Sequence, residues 1–194
     1  MSSEQSRSLA LEEARKLLLE EGPQAVTLKA VGARIGRTHA NLLHHFGTAA
    51  GLQQELATYI ADKACIAIKA AFRESREGSG TTRDVVDMTF EAFGREGGGA
   101  IVGWLLLTGN EAAFAPVAQT IHKLVDEMYP SESAHDGNGP MHRASFSLML
   151  MSLGDALIGE RLAKVLSVDR DSARERATEM MVAARSESER GLTG

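Results

Sequence analysis

From Gly22 to Gln54 the chain contains no aspartate or glutamate, although acids make up 26 of its 194 residues. The same stretch carries Lys29, Arg34, Arg37, His39, His44 and His45. Basic and imidazole side chains gathered without carboxylates offer donors to a polyanion. A phosphate backbone carries one negative charge per roughly 1.7 Å of duplex axis, so a carboxylate facing it is costly. A locally neutral helical face would show the same absence of acids. By position, the formal charge is +3 in this window and −8 elsewhere, −5 in all. The global balance argues against a nucleic-acid partner, and its segregation argues for one.

The elements that must position these residues follow from apolar spacing and punctuation. Leu11, Ala14 and Leu18, widened by Leu17, predict a helix over 9–21 that Gly22-Pro23 ends. Thr27 reads as the N-cap of a short helix over 28–35. After Gly36, Thr38 caps a second that ends near Phe46, and a further helix starts beyond Gly47-Thr48. Val31, Ile35, Leu42 and Phe46 are spaced so that the inner faces meet, while Ala30, Ala33 and Ala40 would allow a close crossing. Thr38, His39, Asn41 and His44 fall on the outer face, where they could reach base edges in a major groove. The arrangement is that of a helix-turn-helix; a generic helical hairpin would share its packing but has no need to exclude acids.

Beyond it, helices are expected over 49–76, 83–94, 101–107, 112–128, 141–166 and 170–187, with polar or glycine-rich breaks at 77–81, 97–99 and 131–140. No run alternates as a strand would, so the fold class is all-α with about nine helices. Residues 1–48 form the expected helix-turn-helix domain and 49–194 a larger helical one. Composition agrees, with 43% hydrophobic and 24% charged residues, 5% aromatic and four prolines. The single cysteine, Cys65, excludes a disulfide framework. The apolar run from Ala100 to Leu107 is too short to span a bilayer and the N-terminus lacks a signal-peptide pattern, so a soluble cytoplasmic protein is expected.

Ala-Val-Thr-Leu-Lys-Ala-Val-Gly-Ala-Arg-Ile-Gly (Ala25 to Gly36), followed by Leu-Leu-His-His-Phe (Leu42 to Phe46), resembles the DNA-binding region of tetracycline-repressor-like transcriptional regulators. The resemblance covers about the first 55 residues in motif and the remainder only in size and helical character. It implies that Thr27 caps the second helix and offers its hydroxyl or backbone amide to a phosphate. Lys29 would reach the backbone or a groove edge. Thr38 would cap the recognition helix, His39 and Asn41 would read bases, and His45 would bind a phosphate. The family usually has tyrosine where this chain has Leu43 and lysine where it has Ala49, both phosphate contacts. Arg37, where the family more often has an apolar residue, could partly compensate.

In the C-terminal helices Ser152, Ala156, Gly159 and Ala163, and likewise Ala173, Ala177, Met180 and Ala184, recur at near-heptad spacing. Such small-residue stripes fit a four-helix bundle between two subunits, and packing of the two helices within one chain would use them equally. A homodimer also suits a helix-turn-helix reading two symmetric half-sites. Met88, Phe90, Phe93, Trp104, Phe146 and Met149 are either core or the wall of a cavity, which the resemblance implies would hold a small hydrophobic effector. The helix from Ala49 would join that cavity to the reading head.

Enzymatic chemistry is not expected, nor is a metal or cofactor. Gly94 to Gly99 lacks a preceding strand and the dinucleotide spacing, and neither a phosphate-loop nor a zinc-protease motif occurs. His44 and His45 diverge on a helix, and His122, His135 and His142 are scattered. Asp155 reads as a partner for a neighbouring helix or a cationic ligand. The chain is thus expected to be a ligand-responsive, homodimeric DNA-binding regulator, by resemblance a repressor released from its operator by a small hydrophobic molecule; the alternative is a helical interaction module that has lost strong operator binding.

Overall fold

The computed structural model describes residues 3–110, 113–133 and 139–191. Its elements are α1 (Ser3–Glu21), a 3-10 turn (Pro23–Ala25), α2 (Leu28–Arg34), α3 (His39–Phe46), α4 (Ala49–Glu77), α5 (Thr82–Phe93), α6 (Gly98–Leu107) and α7 (Phe114–Met128). They continue with α8 (Pro130–Ser133), α9 (Pro140–Gly154), a π-helical segment (Asp155–Gly159), α10 (Glu160–Leu166) and α11 (Ser172–Gly191). No strand occurs among the described residues, and the class is all-α. The expected elements differ in several places: α1 starts earlier, α6 starts at Gly98, a short α8 occupies Pro130–Ser133 where a loop is expected, the helix expected over 141–166 contains the π insertion, and the last helix runs from Ser172 to Gly191 rather than over 170–187. The expected start at Ala112, the middle of the 131–140 loop and His135 lie outside the described residues.

Threonines start the N-terminal helices. Thr27 Oγ1 accepts from Ala30 N at 3.2 Å, Thr38 Oγ1 from Asn41 N at 3.2 Å and Thr48 Oγ1 from Gly51 N at 2.9 Å. Each satisfies one amide that the first helical turn leaves unpaired. Thr81 and Asp84 form a reciprocal capping box at the start of α5.

Two apolar clusters hold the molecule. The first joins Ala10, Ala14, Leu17 and Leu18 of α1 to Val31, Leu42 and Phe46 of the hairpin, Leu52, Leu56 and Ile60 of α4, Ile101 and Leu105 of α6, and Val117 of α7. The second joins Val86 and Phe90 of α5 to Met141, Ala144 and Leu148 of α9 and Ala177, Met181 and Ala184 of α11. Charges then fix α11 on α5. Arg174 reaches Asp87 at 3.0 Å and Glu91 at 3.1 Å with its guanidinium over the Phe90 ring, while Arg83 bridges Asp87 and Asp171.

Side-chain contacts give the helix directions that matter for the cavity below. Lys69 meets Glu127 at 2.5 Å and Thr120 donates to Asp62 at 3.4 Å, so α4 and α7 run in the same direction. His142, at the start of α9, lies 3.2 Å from Asp126 near the end of α7. At the other end Ala156 packs on Gly99 of α6 so closely that a Cβ on Gly99 would lie 2.8 Å from the Ala156 Cβ. Helix α9 therefore runs opposite to α7.

Candidate functional site

Helices α2 and α3 cross where α2 has no side chain: a Cβ on Gly32 would stand 2.9 Å from the Arg37 carbonyl oxygen and 3.5 Å from Leu42 Cδ2. The Arg37 amide closes the turn by donating to the Gly32 carbonyl at 2.8 Å. Val31, Leu42 and Phe46 fill the inner face and Ile35 is half-buried against it, as their spacing implies. Ala33 and Ala40 are exposed, so the close approach belongs to Gly32, a residue that apolar periodicity does not single out. Gln53 of α4 donates from Nε2 to the Val26 carbonyl at 3.3 Å, fastening the hairpin to the long helix.

The outer side of this hairpin gathers Thr27, Lys29, Arg37, Thr38, His39 and His44, all exposed, with Asn41 and His45 half-buried. The His44 and His45 rings meet edge to face at 5.8 Å. Leu43 stands among them 44% exposed, and Ala49 is exposed at the start of α4. Arg34 is placed differently from the other two cations of the window. Its guanidinium donates to Glu20 at 2.6 Å and Glu21 at 3.0 Å, and this hydrogen bonding holds the Glu20 carboxyl below its ordinary range. Lys29 and Arg37 therefore supply the exposed full charge of the head. The surface they make, donor-rich and free of carboxylates on a short helix backed by a packed one, suits phosphates at its margin and base edges at its centre.

Behind the head, a cavity of about 940 Å³ opens between α4, α5, α6, α7 and α9. Phe93, Phe146 and Met149 line it; Met88, Phe90 and Trp104 do not. Phe90 is instead enclosed in the α5–α9–α11 core beneath Arg174. Most of the wall is aliphatic and comes from α4 and α7, including Ile60, Ile68, Val117 and Ile121. At the end remote from the head, His142 sits between two carboxylates, Nδ1 3.2 Å from Glu132 and Nε2 3.2 Å from Asp126. Glu132 is itself buried. Burial raises its pKa, but hydrogen bonds from Ser188, His142 and the Met141 and His142 amides outweigh that and hold it below the ordinary value. Cys65, also in the wall, is pushed up to about 11 by burial and by Asp62 and Glu127, so its thiol stays neutral.

The small-residue stripes are largely occupied within the chain. Ala177 and Ala184 are buried in the second cluster, and Ala173 and Met180 pack against it. Ser152 is enclosed, donating to the Leu148 carbonyl at 2.8 Å, and Ala156 rests on Gly99. Gly159 and Ala163 are half-buried. Asp155 finds its partner in Arg170 at 3.4 Å, which draws the α10–α11 connection onto the π segment. The π segment and α10 instead present Leu157, Ile158, Leu162 and Val165 to solvent, each about half exposed or more, in series with Phe146 and Leu150 of α9, which are equally exposed and also border the cavity.

An acid-free hairpin on an all-helical body has the architecture of a helix-turn-helix. Residues 10–56 match the family model of bacterial regulatory proteins of the tetR family. The whole fold is similar to a solved structure described as a TetR-family transcriptional regulator from Rhodococcus sp. The TM-score is 0.61 at 17% identity, over 95% of this chain and 99% of that one. No curated protein matches the chain. The likeness to that family thus covers the N-terminal helix-turn-helix in sequence and the whole chain in fold.

Proposed function

We propose that this protein is a TetR-family transcriptional regulator, a cytoplasmic homodimeric repressor that leaves its operator when a small, largely apolar molecule fills the cavity behind the reading head. The observation that carries the reading is that one helix serves both sites. Leu52 and Leu56 of α4 belong to the core under the hairpin, and Ile60 to Ile68 of the same helix line the cavity. A molecule that prefers one setting of α4 shifts the spacing of two recognition helices, with leverage limited by its differential affinity for the two settings. In this reading residues 1–48 form the DNA-binding domain and 49–194 the regulatory one. Lys29, Arg37 and His45 meet phosphates, together with the capped amides at Thr27. Thr38, His39, Asn41 and His44 face the bases.

The exposed apolar side chains Leu157, Ile158, Leu162 and Val165, continued by Phe146 and Leu150 at the cavity border, support two-fold assembly, since a solitary domain usually leaves fewer such side chains together in water. The test is a salt-dependent gel shift with duplex from the gene's own upstream region, beside sedimentation of the free protein. A dimer whose affinity falls steeply with salt supports the reading. A dimer without DNA affinity favours the second one, an interaction module, for which exposed Leu43 and Ala49 speak.

A further inference from the structure

Resting on that ligand-cavity reading, we infer that the effector is an uncharged, mostly hydrocarbon molecule carrying a hydroxyl or carbonyl group, held by Ser145 at the cavity end remote from the DNA. Ser145 lines the cavity, is only 8% exposed, and its hydroxyl has no hydrogen-bond partner among the described residues. Elsewhere in this helix and its neighbours the rule is different: Ser147, Ser152 and Thr89 each give their proton to the carbonyl four residues earlier. A hydroxyl that opens onto an apolar cavity with no protein partner is available to bond a ligand oxygen there.

Its position sets the ligand's orientation. Ser145 lies one helical turn beyond His142, whose ring touches Asp126 and Glu132 at the remote end. The opposite end, toward the head, is lined by Phe93, Ile101, Val102 and Phe114. A polar group at Ser145 thus directs a hydrocarbon body toward α6 and the first half of α4.

Charge selects against ions. The carboxylates around His142 would repel an anion, and the cation bordering the cavity there, Arg143, is engaged with Glu187 at 3.3 Å. His122 at the rim is already 3.3 Å from Asp126. Neither acid faces the aliphatic body of the cavity, so a permanent cation would also lose its hydration without a counter-charge along most of its length.

The experiment uses the full-length protein and 1,6-diphenylhexatriene, a fluorescent hydrocarbon without polar atoms, displaced in turn by decan-1-ol, decanoate at pH 8 and decyltrimethylammonium. Decan-1-ol should displace it at a concentration about 10-fold or more below either ion. Ser145→Ala should weaken decan-1-ol about 3- to 10-fold, the worth of one net hydrogen bond, while leaving diphenylhexatriene within about 2-fold. Equal or tighter binding of either ion overturns the inference without any variant, and so does a Ser145→Ala protein that binds decan-1-ol unchanged. If diphenylhexatriene itself fails to bind the wild-type protein, the cavity is no ligand site and the underlying reading falls with it.

Discussion

A Cβ placed on Gly32 would stand 2.9 Å from the carbonyl oxygen of Arg37, so the recognition turn is built on the absence of one carbon atom. The neighbour is backbone, and the Arg37 amide is itself bonded back to Gly32, so neither partner can yield without opening the turn. Gly32→Ala should destabilise the protein by about 1–3 kcal/mol and weaken DNA binding. Urea unfolding read beside a gel shift tests it; an alanine variant of unchanged midpoint would remove the steric argument.

The three basic residues of the acid-free window should behave unequally. Lys29→Ala and Arg37→Ala should each lower the salt dependence of DNA affinity by about one counterion and weaken all sequences alike. Arg34→Ala should leave that slope nearly unchanged, because its charge is already spent on Glu20 and Glu21. Asn41→Ala should instead alter preference between operators. Salt titrations that give the Arg34 and Arg37 variants equal slopes contradict this assignment.

Glu12 ties α1 to α4. Tyr59 donates to it at 2.7 Å and Lys63 at 3.1 Å, with Arg15 at 3.3 Å, and these contacts lower its pKa from 4.5 to about 2, the Tyr59 hydrogen bond contributing most. A carboxyl group depressed in the folded state stabilises it above the unfolded pKa, and that contribution disappears as pH falls from about 4.5 toward 2. Glu12→Gln should therefore cost about 1 kcal/mol at neutral pH, after allowance for solvent screening, and the difference from wild type should shrink in acid. Thermal midpoints of both proteins between pH 7 and pH 3 decide it, and a constant difference is the contrary result.

Two substitutions on neighbouring helices should part assembly from folding. Val165 is 78% exposed on the outer apolar row, so, if the proposed dimer uses that row, Val165→Glu should yield a monomer that keeps its helix content. Ala177 is fully enclosed against α5 and α9, so Ala177→Leu should overpack the core and cost about 1–3 kcal/mol without first dissociating the proposed dimer. Sedimentation and circular dichroism on both variants separate the effects; dissociation by the Ala177 variant alone reverses the proposal.

What the sequence disclosed were features written locally. The caps at Thr27 and Thr38, the inner face of Val31, Leu42 and Phe46, and the exposure of His39 and His44 all follow from spacing and residue type. What stayed hidden depends on partners distant in the chain. Arg34 looks like any other cation until Glu20 and Glu21 are seen folded back onto it. Phe90 has the composition of a cavity wall, but Arg174 and α11 cover it, while the plain aliphatics of α4 and α7 surround the space. Ser145 carries no signal in a linear reading, because being unpartnered is a property of its surroundings.

The π segment at Asp155–Gly159 changes how the C-terminal hairpin can be engineered. A π turn accommodates an additional residue, and each residue of an α-helix corresponds to about 100° of rotation. Side chains of α10 are therefore rephased around the axis relative to an uninterrupted helix continued from Pro140. Ser152 and Ala156 look inward while Leu162 and Val165, a few residues on, look out to water. The insertion works as an angular offset between two otherwise ordinary helices. Deleting one residue there would leave composition and helix length almost untouched, yet turn a different set of side chains toward any second copy.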